Sequence, residues 1–153
     1  MKTQQTMLRS AVVAGALAGL VMAMLMMAYM GLIGQSIWTN PNLIAVMWLG
    51  EGVATGAFGV PTLVGFATHM AASMLMGIIA IPFVAELPGR RTMLAAVSYA
   101  LASYPVAIAS VMSWANPLFV ARSDVVAMTI AHAVFGVVFG AAFLAWPEPE
   151  AKL

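Results

Sequence analysis

Four apolar stretches, residues 10–33, 61–85, 92–112 and 124–146, fill most of this 153-residue chain and leave only short polar connections between them. A helix needs roughly 20 apolar residues to cross a hydrocarbon core of about 30 Å, and each stretch is that long. The fold expected is all-α: a polytopic membrane protein of four transmembrane helices. Composition agrees, with 63% hydrophobic and 7% charged residues. Soluble chains carry about 25% charged residues, so lipid has to solvate most of this one.

The same composition excludes several classes. There is no cysteine, hence no disulfide, thiolate metal site or Cys nucleophile. A net charge of +1 without a basic patch excludes nucleic-acid binding. The first stretch follows Lys2 and Arg9, as a secretory signal would. Its apolar run is longer than a signal core and no small-x-small cleavage site follows, so it is read as a retained first span. Lys2, Arg9, Arg90, Arg91 and Lys152 fall on one side of the four-span arrangement and Arg122 alone on the other. The positive-inside rule puts both termini and the 86–91 loop in the cytoplasm of a bacterial inner membrane, with the 40–60 connection outside.

The chain reads as one unit written twice, about 10–85 and about 90–147, within a single membrane domain 1–153. Trp38, Asn40 and Pro41 recur as Trp114, Asn116 and Pro117 at an offset of 76, whereas His69 recurs as His132 at an offset of 63. The difference places a 13-residue insertion in the first outer connection. Each unit is a helical hairpin, so the two copies share one orientation and form a parallel repeat. Trp38 and Trp114 mark the membrane boundary. Each Asn-Pro is expected to cap and start a helix. The first is a short outer interfacial helix carrying Leu43, Ile44, Met47 and Trp48 and ending near residues 50–52. The second, 117–120, is a single turn before Asp124 caps the last span.

Small residues recur at helix-packing spacing: Gly15 and Gly19, Ser73 and Gly77, Gly136 and Gly140. Such pairs let helix backbones approach closely inside a bilayer. His69, Ser73 and Gly77 lie four apart on one helix face, as do His132, Gly136 and Gly140. Both histidines therefore belong to a packed face. Pro105 predicts a kink in the third span and a freed carbonyl near Leu101.

An ionisable group at membrane depth is a functional candidate by default. Paired imidazoles on two helices at equal depth, about 12 Å below the outer boundary at 1.5 Å per residue, suit the axial positions of a b-type haem. Gly77, Gly136 and Gly140 would then give close packing or room for a macrocycle, and Arg122, Trp38 and Trp114 would meet its propionates. In this the chain resembles the four-helix membrane cytochromes b generically, through bis-His on a bundle. One His per chlorophyll-type pigment is the related possibility. The structural alternative is a hydrogen bond from each His to a carbonyl or to Thr68, Ser73, Thr129, Ser98, Tyr99 or Ser103. Fourteen methionines, among them Met22, Met26, Met30, Met70 and Met74 at helical spacing, either fill the core or line a path for Cu(I), with Met47 alone in the outer loops.

No Asp, Glu, Lys or Arg stands at mid-depth to couple transport, since Glu51, Glu86 and Asp124 fall in loops or at span ends. No nucleophile set, acid–His metal cluster or phosphate loop points to an enzyme. The leading expectation is a small non-catalytic membrane subunit, packed with other membrane subunits or with itself in the lipid bilayer. A haem- or pigment-binding electron-transfer subunit using His69 and His132 is the alternative, and a small metal-ion or proton transporter comes after it. No dedicated metal ligands are assigned.

Overall fold

The computed structural model describes residues 4–146, which are helical with no strand among them. Lys2, Lys152 and the last residue of the second repeat, 147, lie outside the described residues. In chain order the helices are α1 (Gln4–Leu32), α2 (Thr39–Leu49), α3 (Val60–Val84), α4 (Gly89–Ala107), α5 (Ser113–Ala115), α6 (Pro117–Arg122) and α7 (Val125–Ala145). A 3-10 turn, Glu51–Val53, follows α2, and a π-helical turn, Ile108–Met112, joins α4 to α5. Four helices are long and apolar enough to cross a membrane: α1, α3, the continuous run Gly89–Ala115, and α7. The protein is an integral membrane protein.

The spans coincide with the apolar stretches, with one extension. α1 begins at Gln4, well before residue 10, because Gln4, Gln5 and Thr6 are compatible with a helix and Ser10 satisfies its hydroxyl on the Thr6 carbonyl at 2.8 Å. The effect of Pro105 is spread over the π turn that follows it. Pro105 offers no N–H, and the Ile108 N–H is shared between the carbonyls of Tyr104 and Pro105. Ser110, Ser113 and the Trp114 indole then donate to the carbonyls of Val106, Ala109 and Ser110 at 2.6, 3.2 and 2.7 Å. These bonds satisfy a backbone stretched out of α-helical register.

α1 lies at the centre, packed along both α3 and α7, while α4 leans on α7 and touches α3 sparsely. Accordingly 44% of the α1 span is buried and 11% of the Gly89–Ala115 span. Lipid removes the hydrophobic incentive for helices to associate, so contact depends on close backbone approach. A Cβ on Gly15 would stand 2.5 Å from the Ser73 carbonyl, and one on Gly77 would strike the Ala11 carbonyl. On the other side, a Cβ on Gly136 would lie 2.6 Å from the Val97 Cα and 2.9 Å from the Ala96 carbonyl. Phe135, Phe139 and Phe143 stack down α7 at 6.2 and 5.8 Å and fill the seam.

The connections differ from expectation in three ways. α2 starts at Thr39 with Trp38 in the cap position and no side-chain cap, so Asn40 is not the N-cap. Nor does α2 simply float at the interface: Pro41, Asn42, Leu43, Ala45 and Val46 are buried, and a Cβ on Gly65 of α3 would collide with the Pro41 carbonyl. α6 runs six residues, longer than a single turn, capped by Asn116, whose Oδ1 accepts from the Phe119 N–H at 3.0 Å. Asp124 does cap α7, accepting from the Ala127 N–H at 2.8 Å.

Gly136→Ala should lower the thermal unfolding midpoint in detergent by the equivalent of about 1–3 kcal/mol, because the obstacle is α4 backbone. Gly52→Ala, where an added methyl meets nothing within 4 Å, should leave it unchanged.

Candidate functional site

His69 on α3 and His132 on α7 open onto the same cavity, of about 170 Å³. It lies one turn beyond the tight glycine contacts, toward the end of the bundle that carries α2 and α6. Its walls come from every span: Met22 of α1, His69 and Met76 of α3, Tyr104 and the π turn of α4, Met128 and His132 of α7. Ile44 of α2 and Phe119 of α6 close the end. The π turn, through Ile108 and Met112, forms the wall on the α4 side.

The two rings are held differently. His69 donates from Nε2 across the helix pair to the Gly19 carbonyl at 2.9 Å, where a Cβ on Gly19 would collide with the Ser73 side chain. His132 donates from Nδ1 back to the Met128 carbonyl of its own helix at 2.8 Å. Its ring also packs on Tyr104, with centroids 5.0 Å apart. Four of the six hydroxyls expected as partners are engaged elsewhere: Thr68 with the Val64 carbonyl, Thr129 with Val125, Ser103 with Ala100 and Tyr99 with Met76, while Ser73 lines the cavity beside the rings.

A carbonyl can only accept, so the nitrogen facing it carries the proton. A neutral His69 then keeps its lone pair on Nδ1 and a neutral His132 on Nε2. Among the described residues no buried side-chain nitrogen or oxygen lacks a partner. These two unbonded nitrogens are therefore not fully enclosed, and both rings line this cavity.

A bis-His haem does not fit the arrangement. The volumes beside Gly77, Gly136 and Gly140 are taken by the Ala11, Val97 and Met93 atoms of neighbouring helices. The cavity has room for several water-sized molecules, short of the roughly 300–1,000 Å³ of pockets for drug-sized ligands. Arg122, Trp38 and Trp114 are not among its walls. Trp38 packs edge-on against Phe58 at 4.9 Å, and Arg122 lines a separate groove with Tyr29 and Asp124. There the Ala127 N–H, and next the Tyr29 hydroxyl at 3.0 Å, hold the exposed Asp124 carboxyl below its ordinary range.

Sequence reading passed over the residue that organises the cavity's roof. Asn42 is fully buried and completely bonded: Nδ2 donates to the Thr55 and Ala57 carbonyls at 2.7 and 2.8 Å, and Oδ1 accepts from Thr62 at 2.7 Å. Asn116 completes the roof by donating from Nδ2 to the Leu43 carbonyl at 2.8 Å, so α6 is tied to α2. Met76, Tyr104, Met112 and Met128 were also missed as lining residues. The one local signal for them is Met128, four residues before His132.

Asn42→Ala should cost about 1–3 kcal/mol for each buried polar group left unpaired, read as a clear loss of thermal stability. Asn40→Ala, which removes no side-chain hydrogen bond, should be close to neutral. Comparison with protein-family models, with curated proteins and with solved structures gave no match.

Proposed function

We propose that this chain is a small membrane subunit with no catalysis of its own, which packs within a larger membrane complex or as a homo-oligomer. The observation that carries the reading is the outward face of α4. Ser98, Ala102 and Pro105, with Ala109 in the π turn beyond, recur at helical spacing on that side, and all are exposed, beside the exposed Leu94, Leu101 and Val106. Small and weakly polar residues gain little from lipid and much from a second helix. The span that bears them is also the least covered by its own chain. The absence of a nucleophile–base set from the sequence supports the non-catalytic part.

The tandem-hairpin arrangement belongs to the same reading. It is supported by α3 setting Ser73 and Gly77 against α1, while α7 sets Gly136 and Gly140 against α4. In that pairing Ala96 and Ala100 take the places of Gly15 and Gly19. Cytoplasmic termini follow from the basic residues: Arg9, Arg90 and Arg91 belong to one end of the bundle and Arg122 to the other.

The absence of cysteine makes single-cysteine chemistry unambiguous. Ser98→Cys and Ala102→Cys, oxidised in native membranes, should give a disulfide-linked dimer if the partner is a second copy. With a different subunit as partner, the native particle should instead exceed the 16.0 kDa of one chain by light scattering without forming that dimer. A solitary monomer in both mild detergent and nanodiscs would defeat the reading. A membrane-impermeant maleimide should label Gly52→Cys in intact cells and Leu87→Cys only after permeabilisation; the reverse would invert the topology.

A further inference from the structure

The ring nitrogens of His69 and His132 share their cavity with the thioethers of Met22, Met76, Met112 and Met128. A second cavity adjoins it, also walled by Met22, His69 and Met128, and adds Met26 and Met27 on the way to Asn40 and Pro41. Soft donors thus run from the α2 end of the bundle to the two histidines. Core filling alone does not require the methionines to come from three different spans and a π turn to the one place where both imidazoles meet.

The donor chemistry is selective. No carboxylate lines either cavity, and among the described residues no three His, Cys, Asp or Glu side chains stand together as a metal cluster. Hard cations such as Ca²⁺ and Mg²⁺ take oxygen ligands, which argues against them here. Thioether with imidazole is a soft, neutral set that suits Cu(I). A monovalent ion also brings the smallest charge into a low-dielectric interior. Each ring is oriented for the task, because an N–H fixed on a backbone carbonyl presents the opposite nitrogen as a ligand. We propose that this cavity is a Cu(I) site, ligated by His69 and His132 together with the thioethers of Met22 and Met128, the two methionines that line both cavities. It stands independently of whether α4 docks on a neighbour.

The test is an anaerobic titration of the purified full-length protein with Cu(I) against the chromophoric chelator bicinchoninate. One Cu(I) per chain should be withdrawn from the chelator, with both nitrogen and sulfur scatterers in the copper X-ray absorption spectrum. Losing even an outer partner of a metal ligand costs about 10–100-fold. His132→Ala and the double variant Met22→Leu with Met128→Leu should therefore each weaken binding at least about tenfold. The Leu variant conserves volume and decides the matter if the His variant fails to fold. Failure to compete with the chelator, or unchanged affinity in the Met22→Leu, Met128→Leu protein, would overturn the proposal; the latter result would mark the copper as bound to exposed methionines.

Discussion

Backbone-to-backbone contact between spans is the constraint on which the rest of this protein depends. In water, apolar faces would hold helices together almost whatever their shape, but in lipid a leucine gains nothing by exchanging acyl chains for another leucine. Association then rests on dispersion at short range, which falls away steeply with any gap. α1 and α3 meet where Gly15 faces Ser73, and α4 and α7 meet where Gly136 faces Ala96 and Val97. Both contacts are interlocked at the level of the main chain. α1 can serve both α3 and α7 because its buried positions, Ala11, Ala14, Gly15, Ala18 and Gly19, are nearly all small.

Tight contact in one half of the bundle leaves the other half open. Past Gly19 the inward residues of α1 become Met22, Met26 and Met30, and the helices must stand further apart to admit them. On the opposite side Pro105 and the π turn break the α-helical register of the third span. Neither effect alone would make a cavity of useful size, because methionine adapts to irregular gaps. Together they leave a volume that the methionines border without filling, and both imidazoles stand at its edge. The His69 bond to Gly19 marks the boundary between the halves: Gly19 also meets Ser73 too closely for a side chain, one turn above Gly15.

The elements were legible in the sequence because hydrocarbon thickness imposes a length that few other constraints mimic. α3 and α7 begin and end within a residue of the apolar stretches, and the Asp124 cap was readable from its position before an apolar run. The helix phase of His69 and His132 was equally plain, since spacing of four fixes a face. Their meeting in one cavity was not. That depends on how far α3 slides along α1 and α7 along α4, and no local pattern encodes the register between helices. The Trp-Asn-Pro phrases recur at an offset of 76, yet the helix contacts make Ala96 and Ala100, packed on α7, the counterparts of Gly15 and Gly19, packed on α3, an offset of 81. Asn42 escaped for a different reason. It lies beside an Asn-Pro whose capping chemistry is the stronger local signal, and its true partners, Thr55, Ala57 and Thr62, are brought to it only by the fold.

The roof restricts how anything could reach the cavity. Asn42 binds the 55–57 segment to α2, Asn116 binds α6 to α2, and every polar atom of these two side chains has its partner. Opening that roof would leave several buried groups unpaired at once, each costing about 1–3 kcal/mol. The side walls differ. α3 and α4 touch sparsely, and among the described residues the hydrogen bond between them runs from Tyr99 to the carbonyl of Met76, a residue of the cavity wall. The adjoining methionine-lined space reaches Asn40, whose side chain makes no hydrogen bond, at the edge of α2. Entry past Asn40 disturbs no polar network, whereas entry between α3 and α4 requires a ligand already dissolved in lipid. A polar ligand therefore meets the lower barrier on the Asn40 side, where Met26 and Met27 are among the lining side chains.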